Sequence, residues 1–136
     1  IGEKQFKEYR RSWSIAPPPM NADDGNQSLF SPLNANIPAG MIPLTESLKD
    51  TYERVIPYYE KEIKKKIQEN KNVLIAAHGN SLRALCKYLF KISDQNINEL
   101  EIPTGNPLIV ELDNNLEIKK YYYLDESRAK NIIFNQ

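Results

Sequence analysis

The sequence is poor in the residues that build disulfides and metal sites. Its 136 residues include one cysteine, Cys86, and one histidine, His78. A single cysteine excludes an internal disulfide and a thiolate metal cluster. With only one histidine beside it, the sequence predicts no zinc site made by protein ligands alone. The sequence also lacks a carboxylate cluster and a glycine-rich phosphate loop, so we expect no bound metal.

Excess charge and long apolar runs are also missing. The 18 basic and 18 acidic residues cancel, which leaves a formal net charge of zero. Without a global field we expect no nucleic acid and no membrane partner, and any anion site must be local. No apolar run approaches the roughly 18 residues of a membrane-spanning helix, and the first residues lack the layout of a signal peptide. The expectation is a soluble, cytoplasmic protein.

The length fits one domain with a modest core. The chain has no initiator methionine and opens within a predicted helix, from Glu3 to about Trp13, which suggests a piece of a longer polypeptide. Phe6, Tyr9 and Trp13 lie three and four residues apart in that helix, the pattern of one apolar face. Residues 16 to 43 then hold six of the nine prolines and show no periodicity. This stretch predicts a mobile loop over about residues 16–44.

A long helix is predicted from Thr45. Ser47 with Asp50 resembles a capping box, and apolar residues then recur at the helical period: Leu48, Tyr52, Val55, Ile56, Tyr59, Ile63 and Ile67. Pro57 should kink this helix without ending it, because the apolar stripe continues beyond it. The lysines near its end are either a solvated face or a phosphate-binding patch, and the solvated face is the favoured interpretation.

The second half of the chain carries the predicted sheet. Residues 73–77 are fully apolar and short, which favours a strand buried on both faces. A helix from about Ser81 to Lys91 follows, and Cys86 on its apolar stripe is expected to be a core residue rather than a nucleophile. Ser93 is expected to cap a short helix. Two further apolar runs, 108–112 and 116–124, flank a turn-forming trio and predict a hairpin.

His78 lies where the predicted strand gives way to the following helix. In an open α/β sheet this position faces the ligand crevice, and the helix start offers unpaired N–H groups with a partial positive charge. Gly79 would let backbone approach a ligand closely, and Asn80 could cap the helix or donate to an oxygen. A histidine there can donate a proton to a phosphoryl or carboxylate oxygen. A structural histidine bonded to the local backbone fits the spacing equally well.

The adjacent Arg10 and Arg11 also allow two interpretations. At the end of a short helix and before a proline-rich loop, the pair could hold a carboxylate or phosphate through bidentate hydrogen bonds. Most adjacent arginines are simply solvated surface residues, so the spacing alone does not establish that this pair binds an anion.

Several motifs, in order along nearly the whole chain, resemble one known family. They are residues 10–13 (RRSW), 17–20 (PPPM), 46–48 (ESL), 76–85 (AAHGNSLRAL) and 102–107 (IPTGNP). The series resembles the C-terminal half of cofactor-dependent phosphoglycerate mutases, in the histidine phosphatase superfamily. The resemblance implies an α/β fold with three αβα layers around a mostly parallel sheet, of which residues 1–136 would form the C-terminal part of a single domain.

The resemblance also implies an activity and roles for individual residues. The activity is the interconversion of 3-phosphoglycerate and 2-phosphoglycerate through a phosphohistidine, primed by 2,3-bisphosphoglycerate, in glycolysis and gluconeogenesis. His78 matches the family's second histidine, which stabilises the transferring phosphoryl group. Gly79 and Asn80 match positions that hold phosphoryl oxygens, while Arg10 and Arg11 match the pair that grips the substrate's anionic groups. The implied partners are small phosphorylated three-carbon acids and further copies of the chain, as a dimer or tetramer.

The sequence departs from the family in one large respect. The strand with the nucleophilic histidine is absent, as are the general-acid glutamate and several basic ligands, so roughly half of a family member is missing. The 136 residues alone are therefore expected to be inactive. Two alternatives remain for the activity: a bisphosphoglycerate mutase or phosphatase of the same superfamily, or a non-catalytic binding or assembly fragment.

Overall fold

The computed structural model of the chain describes residues 2–20, 36–38 and 41–130. In chain order its elements are helix α1 (Glu3–Arg11), helix α2 (Leu48–Tyr58), a π-helical turn (Tyr59–Ile63), helix α3 (Lys64–Gln68), helix α4 (Gly79–Leu89), a 3-10 turn (Asn96–Glu99), strands β1 (Leu108–Leu112) and β2 (Ile118–Tyr123), and a 3-10 turn (Glu126–Arg128). Most of the predicted loop at 16–44 lies outside the described residues. None of the described helices is long and apolar enough to cross a membrane.

The capping box predicted for α2 is confirmed. The Ser47 side chain accepts from the Asp50 backbone N–H, and the Asp50 carboxylate accepts from the Ser47 backbone N–H. Hydrogen bonds from Ser47 lower the pKa of Asp50, so the box is strongest when Asp50 is ionised. Leu48 and Thr51 in the first turn are buried, and the apolar stripe behind them therefore faces the core.

Pro57 lies inside α2, as predicted, and the apolar stripe continues past it. Proline lacks the N–H that an α-helix needs at this position. The helix passes into the π-helical turn two residues later and then continues as α3. The wider turn directs Tyr59 into the core, where it is buried. The sequence predicts a kink at Pro57 but not the π-helical turn that begins two residues later.

Helix α2 packs against α4, and this contact organises the core. Tyr88 of α4 lies between two rings of the opposite segment, with its centroid 6.4 Å from that of Tyr52 and 5.7 Å from that of Tyr59. The Tyr88 hydroxyl donates to the Glu60 carboxylate, and this bond raises the pKa of Tyr88 to about 12. The contact therefore combines aromatic packing with a charge-assisted hydrogen bond.

Cys86 faces the core from α4, in agreement with the prediction from its stripe. Burial raises the pKa of its thiol to about 12, so at neutral pH the group is an un-ionised thiol with little nucleophilic character. Its neighbours in the core are Leu48, Ala84, Phe90, Ile92, Ile97, Leu100 and Tyr123. Ser93 is the predicted cap of the short helix after α4. Its hydroxyl accepts from the Asn96 backbone N–H, although the residue at the cap position of this 3-10 turn is Gln95.

Strands β1 and β2 form the predicted hairpin. They pair antiparallel, with Leu108 opposite Tyr123 and Val110 opposite Tyr121. The Asp113 side chain accepts from the backbone N–H groups of Asn115 and Glu117, which closes the turn. The hairpin reaches the helices through the ring of Tyr121, whose centroid is 5.2 Å from that of Phe90. The hairpin is thus attached to the end of α4.

The loop before β1 is tied to the turn after β2. The Asn106 side-chain amide donates to the Asp125 carbonyl and accepts from the Asp125 N–H. The Asp125 carboxylate accepts from Ser127 and Arg128, which lowers its pKa to about 2. Gly105 before this pair has a φ of +68°, a conformation that glycine adopts without the cost that a Cβ adds.

The prediction that residues 73–77 form a buried strand is wrong for this chain. The segment contains no assigned strand and forms no backbone hydrogen bond with any described residue. Leu74 is 90% exposed and Val73 36% exposed. A buried strand needs neighbouring strands to satisfy its N–H and C=O groups, and the described residues supply none.

The described residues do not contain the expected parallel sheet with helices on two sides. Within the described ranges there is one sheet, the antiparallel hairpin of β1 and β2. Hairpin pairing is local and needs only a short turn, whereas a parallel pair needs a second strand from a distant part of a chain. The helices and the hairpin therefore pack as one group, and the apolar segment 73–77 lies against solvent.

We predict that Ser47→Ala lowers the free energy of unfolding of the full-length protein by about 1 kcal/mol, the usual cost of losing an N-cap side chain. Chemical denaturation at neutral pH measures the change, with the exposed Ser14→Ala as control. The lowered Asp50 pKa stabilises the fold above the reference value of 3.8, and this contribution is lost as the pH falls through the lower folded value. The difference between the two variants should therefore shrink in acid; a difference that grows in acid would contradict this assignment.

We also predict that the 136 residues alone do not fold stably, because residues 73–77 expose apolar side chains and unpaired backbone. Cys86 is the only thiol of this chain, so its labelling by a thiol reagent reports directly on the core. The expected result is a labelling rate close to that in denaturant, with no cooperative thermal transition. A cooperative transition with a protected Cys86 would refute the prediction.

Candidate functional site

His78 lies immediately before α4, at the N-cap position. Its backbone is extended, with φ −63° and ψ 148°, and its carbonyl accepts from the Leu82 N–H. The imidazole does not cap the helix and is exposed. Among the described residues no hydrogen bond joins the ring to the local backbone. The side chain therefore lies at the helix start in a position to meet a ligand, which favours the predicted role over that of a histidine bonded to the local backbone.

The first turn of α4 offers backbone donors beside this ring. Four N–H groups at the start of a helix have no partner within the helix, and the helix dipole adds a partial positive charge. Gly79 is the first residue of α4, and a methyl group placed on it would meet nothing within 4 Å. The space in front of this turn is therefore open to an anion from the solvent side.

Asn80 is oriented by an arginine one turn further along α4. Arg83 Nη1 lies 3.5 Å from Asn80 Oδ1, and Arg83 Nη2 donates to the Ile97 carbonyl at 2.6 Å. A guanidinium has donors and no acceptor, so it faces the oxygen of the amide. The Asn80 amide NH2 is then left to donate to a ligand oxygen.

Arg10 lies in the last turn of α1 and is exposed. Its guanidinium carbon is 5.8 Å from the centroid of the Phe6 ring, a cation–π contact within one helix. The Arg11 side chain lies outside the described part of the structure. An exposed guanidinium beside a ring remains available for a carboxylate or phosphate, in keeping with the predicted role.

The structure does not join the two groups of predicted site residues directly. Among the described residues, no hydrogen bond or ion pair links Arg10 to His78 or Asn80. The connection passes through Trp13, whose carbonyl accepts from the Lys49 N–H at 2.9 Å and whose ring contacts Tyr52. Both groups are thus attached to the packed pair of α2 and α4.

Two residues of α4 were missed by sequence reasoning. Arg83 orients Asn80. The spacing of three residues places both side chains on one helix face, so the sequence does contain a signal for this contact. Lys87 is buried against Trp13. In the sequence, a lysine among polar and apolar residues of a helix is expected to be solvated. Only the contact with the distant Trp13 shows that Lys87 is buried.

The described residues contain no group of three or more histidine, cysteine, aspartate or glutamate side chains placed to hold a metal ion. Two lysines in and just after the π-helical turn form local ion pairs, Lys61 with Glu62 at 3.8 Å and Lys64 with Glu60 at 2.7 Å. Such pairs favour the interpretation of these lysines as a solvated surface.

Comparison with known proteins identifies the family. The model of the histidine phosphatase superfamily (branch 1) matches residues 21–122, three quarters of the chain. The 2,3-bisphosphoglycerate-dependent phosphoglycerate mutase of Pelagibacter ubique (strain HTCC1062) is 50% identical over 133 residues. That of Xylella fastidiosa (strain 9a5c) is 45% identical over 139 residues.

The two alignments cover 98% and 99% of this chain, and 56% of each relative. The chain thus spans little more than half the length of the curated relatives it matches. The match to the family model extends from residue 21 to the second strand of the hairpin and includes His78 with the start of α4. The chain belongs to the histidine phosphatase superfamily, a family of α/β proteins.

Proposed function

We propose that the full-length protein is a 2,3-bisphosphoglycerate-dependent phosphoglycerate mutase, which interconverts 3-phosphoglycerate and 2-phosphoglycerate. The observation that supports this most strongly is the identity of 45–50% to mutases over almost all of this chain. The geometry agrees with it, because an exposed histidine stands at a helix start that can bind a phosphoryl group.

His78 is the proposed catalytic residue of this half of the site. A protonated imidazole donates a hydrogen bond and places a positive charge where negative charge spreads over the transferring phosphoryl oxygens. The Gly79 N–H and the Asn80 amide NH2 donate to the same oxygens. Arg10 and Arg11 bind the carboxylate and phosphate of the substrate and so fix the glycerate relative to the phosphoryl group.

The proposed mechanism needs a second histidine as nucleophile, and this chain has only one. The nucleophile and the general acid are therefore assigned to polypeptide outside residues 1–136. The same polypeptide would supply strands beside residues 73–77, so that a three-layer αβα domain with a mostly parallel sheet forms. Pairing would bury Leu74 and place His78 at the carboxyl end of a central strand, where ligands of such sheets bind.

The proposed cofactor is 2,3-bisphosphoglycerate, which supplies the phosphoryl group that primes the nucleophilic histidine. The residues present fit such an anion, because the start of α4 combines free N–H donors with an exposed imidazole and an oriented amide. No step of this proposal uses a metal ion. We further propose that the full-length protein acts in the cytoplasm as a dimer or tetramer.

One experiment separates this function from its alternatives. The full-length protein is given 3-phosphoglycerate with and without 2,3-bisphosphoglycerate, and the products are followed by 31P NMR together with a search for acid-labile phosphohistidine. Formation of 2-phosphoglycerate that depends on the cofactor is expected. Release of inorganic phosphate as the main product would indicate a phosphatase, and no turnover a non-catalytic protein. In a second sample that also contains 1,3-bisphosphoglycerate as phosphoryl donor, net synthesis of 2,3-bisphosphoglycerate as the main reaction would indicate a bisphosphoglycerate mutase.

We predict that His78→Ala in the full-length protein lowers kcat by about a hundredfold to a thousandfold, the usual effect of removing one transition-state donor. The imidazole is exposed and makes no cap, so the thermal midpoint should stay close to that of the parent protein. Steady-state kinetics and a melting curve on the same sample test both statements. Turnover near the parental rate would remove His78 from the mechanism.

We predict that Arg10→Ala acts mainly through binding and raises the KM for 3-phosphoglycerate about tenfold, with a smaller change in kcat. The matched control is Lys7→Ala, which removes another exposed cation from the same helix, one paired with Glu3. Both variants are compared in full-length protein at the same ionic strength. An unchanged kcat/KM for Arg10→Ala would argue against the substrate clamp.

A further inference from the structure

Lys87 is a buried lysine in the middle of the connection between the two halves of the candidate site. Its side chain is only 10% exposed, although lysine rarely lies so deep in a small protein. The ammonium group donates to the Ile92 carbonyl at 2.6 Å and pairs with Asp94 at 2.7 Å. These two partners belong to the segment that follows α4.

The third partner of this ammonium group comes from the other end of the chain. Lys87 Nζ lies 4.6 Å from the centroid of the Trp13 ring, within the range of a cation–π interaction. The Trp13 ring also meets Tyr52 edge to face at 5.6 Å. Asp94 also lies near Tyr52. Burial is the main cause of the raised pKa of Tyr52, and the negative charge of Asp94 adds to it.

Burial of a charged residue between α4 and Trp13 has an energetic cost. Burying an ammonium group costs solvation energy that an apolar side chain of similar length would not lose. Unlike an apolar side chain, the ammonium group forms directional contacts. It must lie within reach of two oxygens and a ring at fixed places. Lys87 therefore determines where the Trp13 ring lies relative to α4.

Trp13 follows the two arginines of α1 closely. It is three residues from Arg10 and two from Arg11, and Ser12 between them accepts from the Ile15 N–H to turn the chain. Lys87 lies on α4, whose first turn follows His78. The Lys87–Trp13 contact is thus a short physical link between the arginine segment and the helix of the histidine.

We propose that Lys87 is a positioning residue for substrate binding, which holds the Arg10–Arg11 segment in place relative to α4 through the Trp13 ring. This inference rests on the proposed function, since it assumes that the two arginines bind the substrate. Lys87 touches neither substrate nor reacting atoms. Its effect passes through Trp13 to the arginines.

The test is Lys87→Met in the full-length protein, because methionine keeps the length and loses the charge and the donors. The expected result is a KM for 3-phosphoglycerate raised about tenfold, with kcat within about threefold of the parent, the pattern of lost ground-state binding. Lys61→Met is the matched control, because Lys61 has an 83% exposed side chain. Its KM should equal that of the parent.

A second readout follows the contact itself. Incorporation of 5-fluorotryptophan gives a 19F resonance for Trp13, assigned as the signal lost in Trp13→Phe. Lys87→Met should shift this resonance, and Lys61→Met should not. A folded Lys87→Met protein with an unshifted resonance, a parental KM, or a loss confined to kcat overturns the proposal.

Trp13→Leu keeps the test decisive if Lys87→Met does not fold. This variant leaves Lys87 with both oxygen partners and removes only the ring. It should raise KM by a similar factor, and adding Lys87→Met to a folded Trp13→Leu protein should raise it little further. A parental KM in Trp13→Leu overturns the proposal.

Different outcomes refute the proposed function and the positioning role of Lys87. Absence of 2-phosphoglycerate formation by the parent protein refutes the mutase assignment, and with it the substrate-binding role of Lys87. Parental turnover together with an unchanged KM in both variants refutes only the positioning role.

Discussion

The packing of α2 against α4 is the contact on which the rest of the structure depends. The Tyr88 ring lies between Tyr52 and Tyr59, and its hydroxyl is fixed by Glu60. The N-terminal segment reaches this pair through Trp13, and the hairpin reaches it through Phe90 at the end of α4. The orientation of the helix that begins after His78 is therefore set by side chains two to three turns away from the site.

Features that depend on neighbours in sequence could be predicted from the sequence. The capping box at Ser47, the hairpin turn at Asp113 and the burial of Cys86 all follow from spacing within a few residues. The place of His78 at a helix start was predicted for the same reason. Short-range signals work for the cap and the turn because each contact partner lies within one turn of helix or one hairpin loop, and for Cys86 because the apolar stripe of its own helix marks the buried face.

Features that depend on distant partners could not be predicted. Residues 73–77 have the composition of a buried strand, yet composition does not supply the neighbouring strands that such a segment needs. The partners of Lys87 lie 74 positions before it, at Trp13, and in the segment after α4. The sequence therefore identified the residue types of the candidate site, but it did not predict the contacts that arrange those residues.

The π-helical turn at Tyr59–Ile63 has a consequence for how the chain tolerates changes in length. A π-helical turn holds one residue more than the α-helical turn it replaces, and such turns are rare. Because the wide turn covers about the same rotation with one residue more, deleting one residue there would leave a continuous α-helix with the residues beyond it on nearly the same face. Deleting one residue from the regular part of α2 would instead rotate everything beyond it by about 100° about the helix axis. The turn itself, which carries Glu60 as the partner of Tyr88 and Lys64, is therefore the place where this helix can lose a residue and still keep the packing on either side.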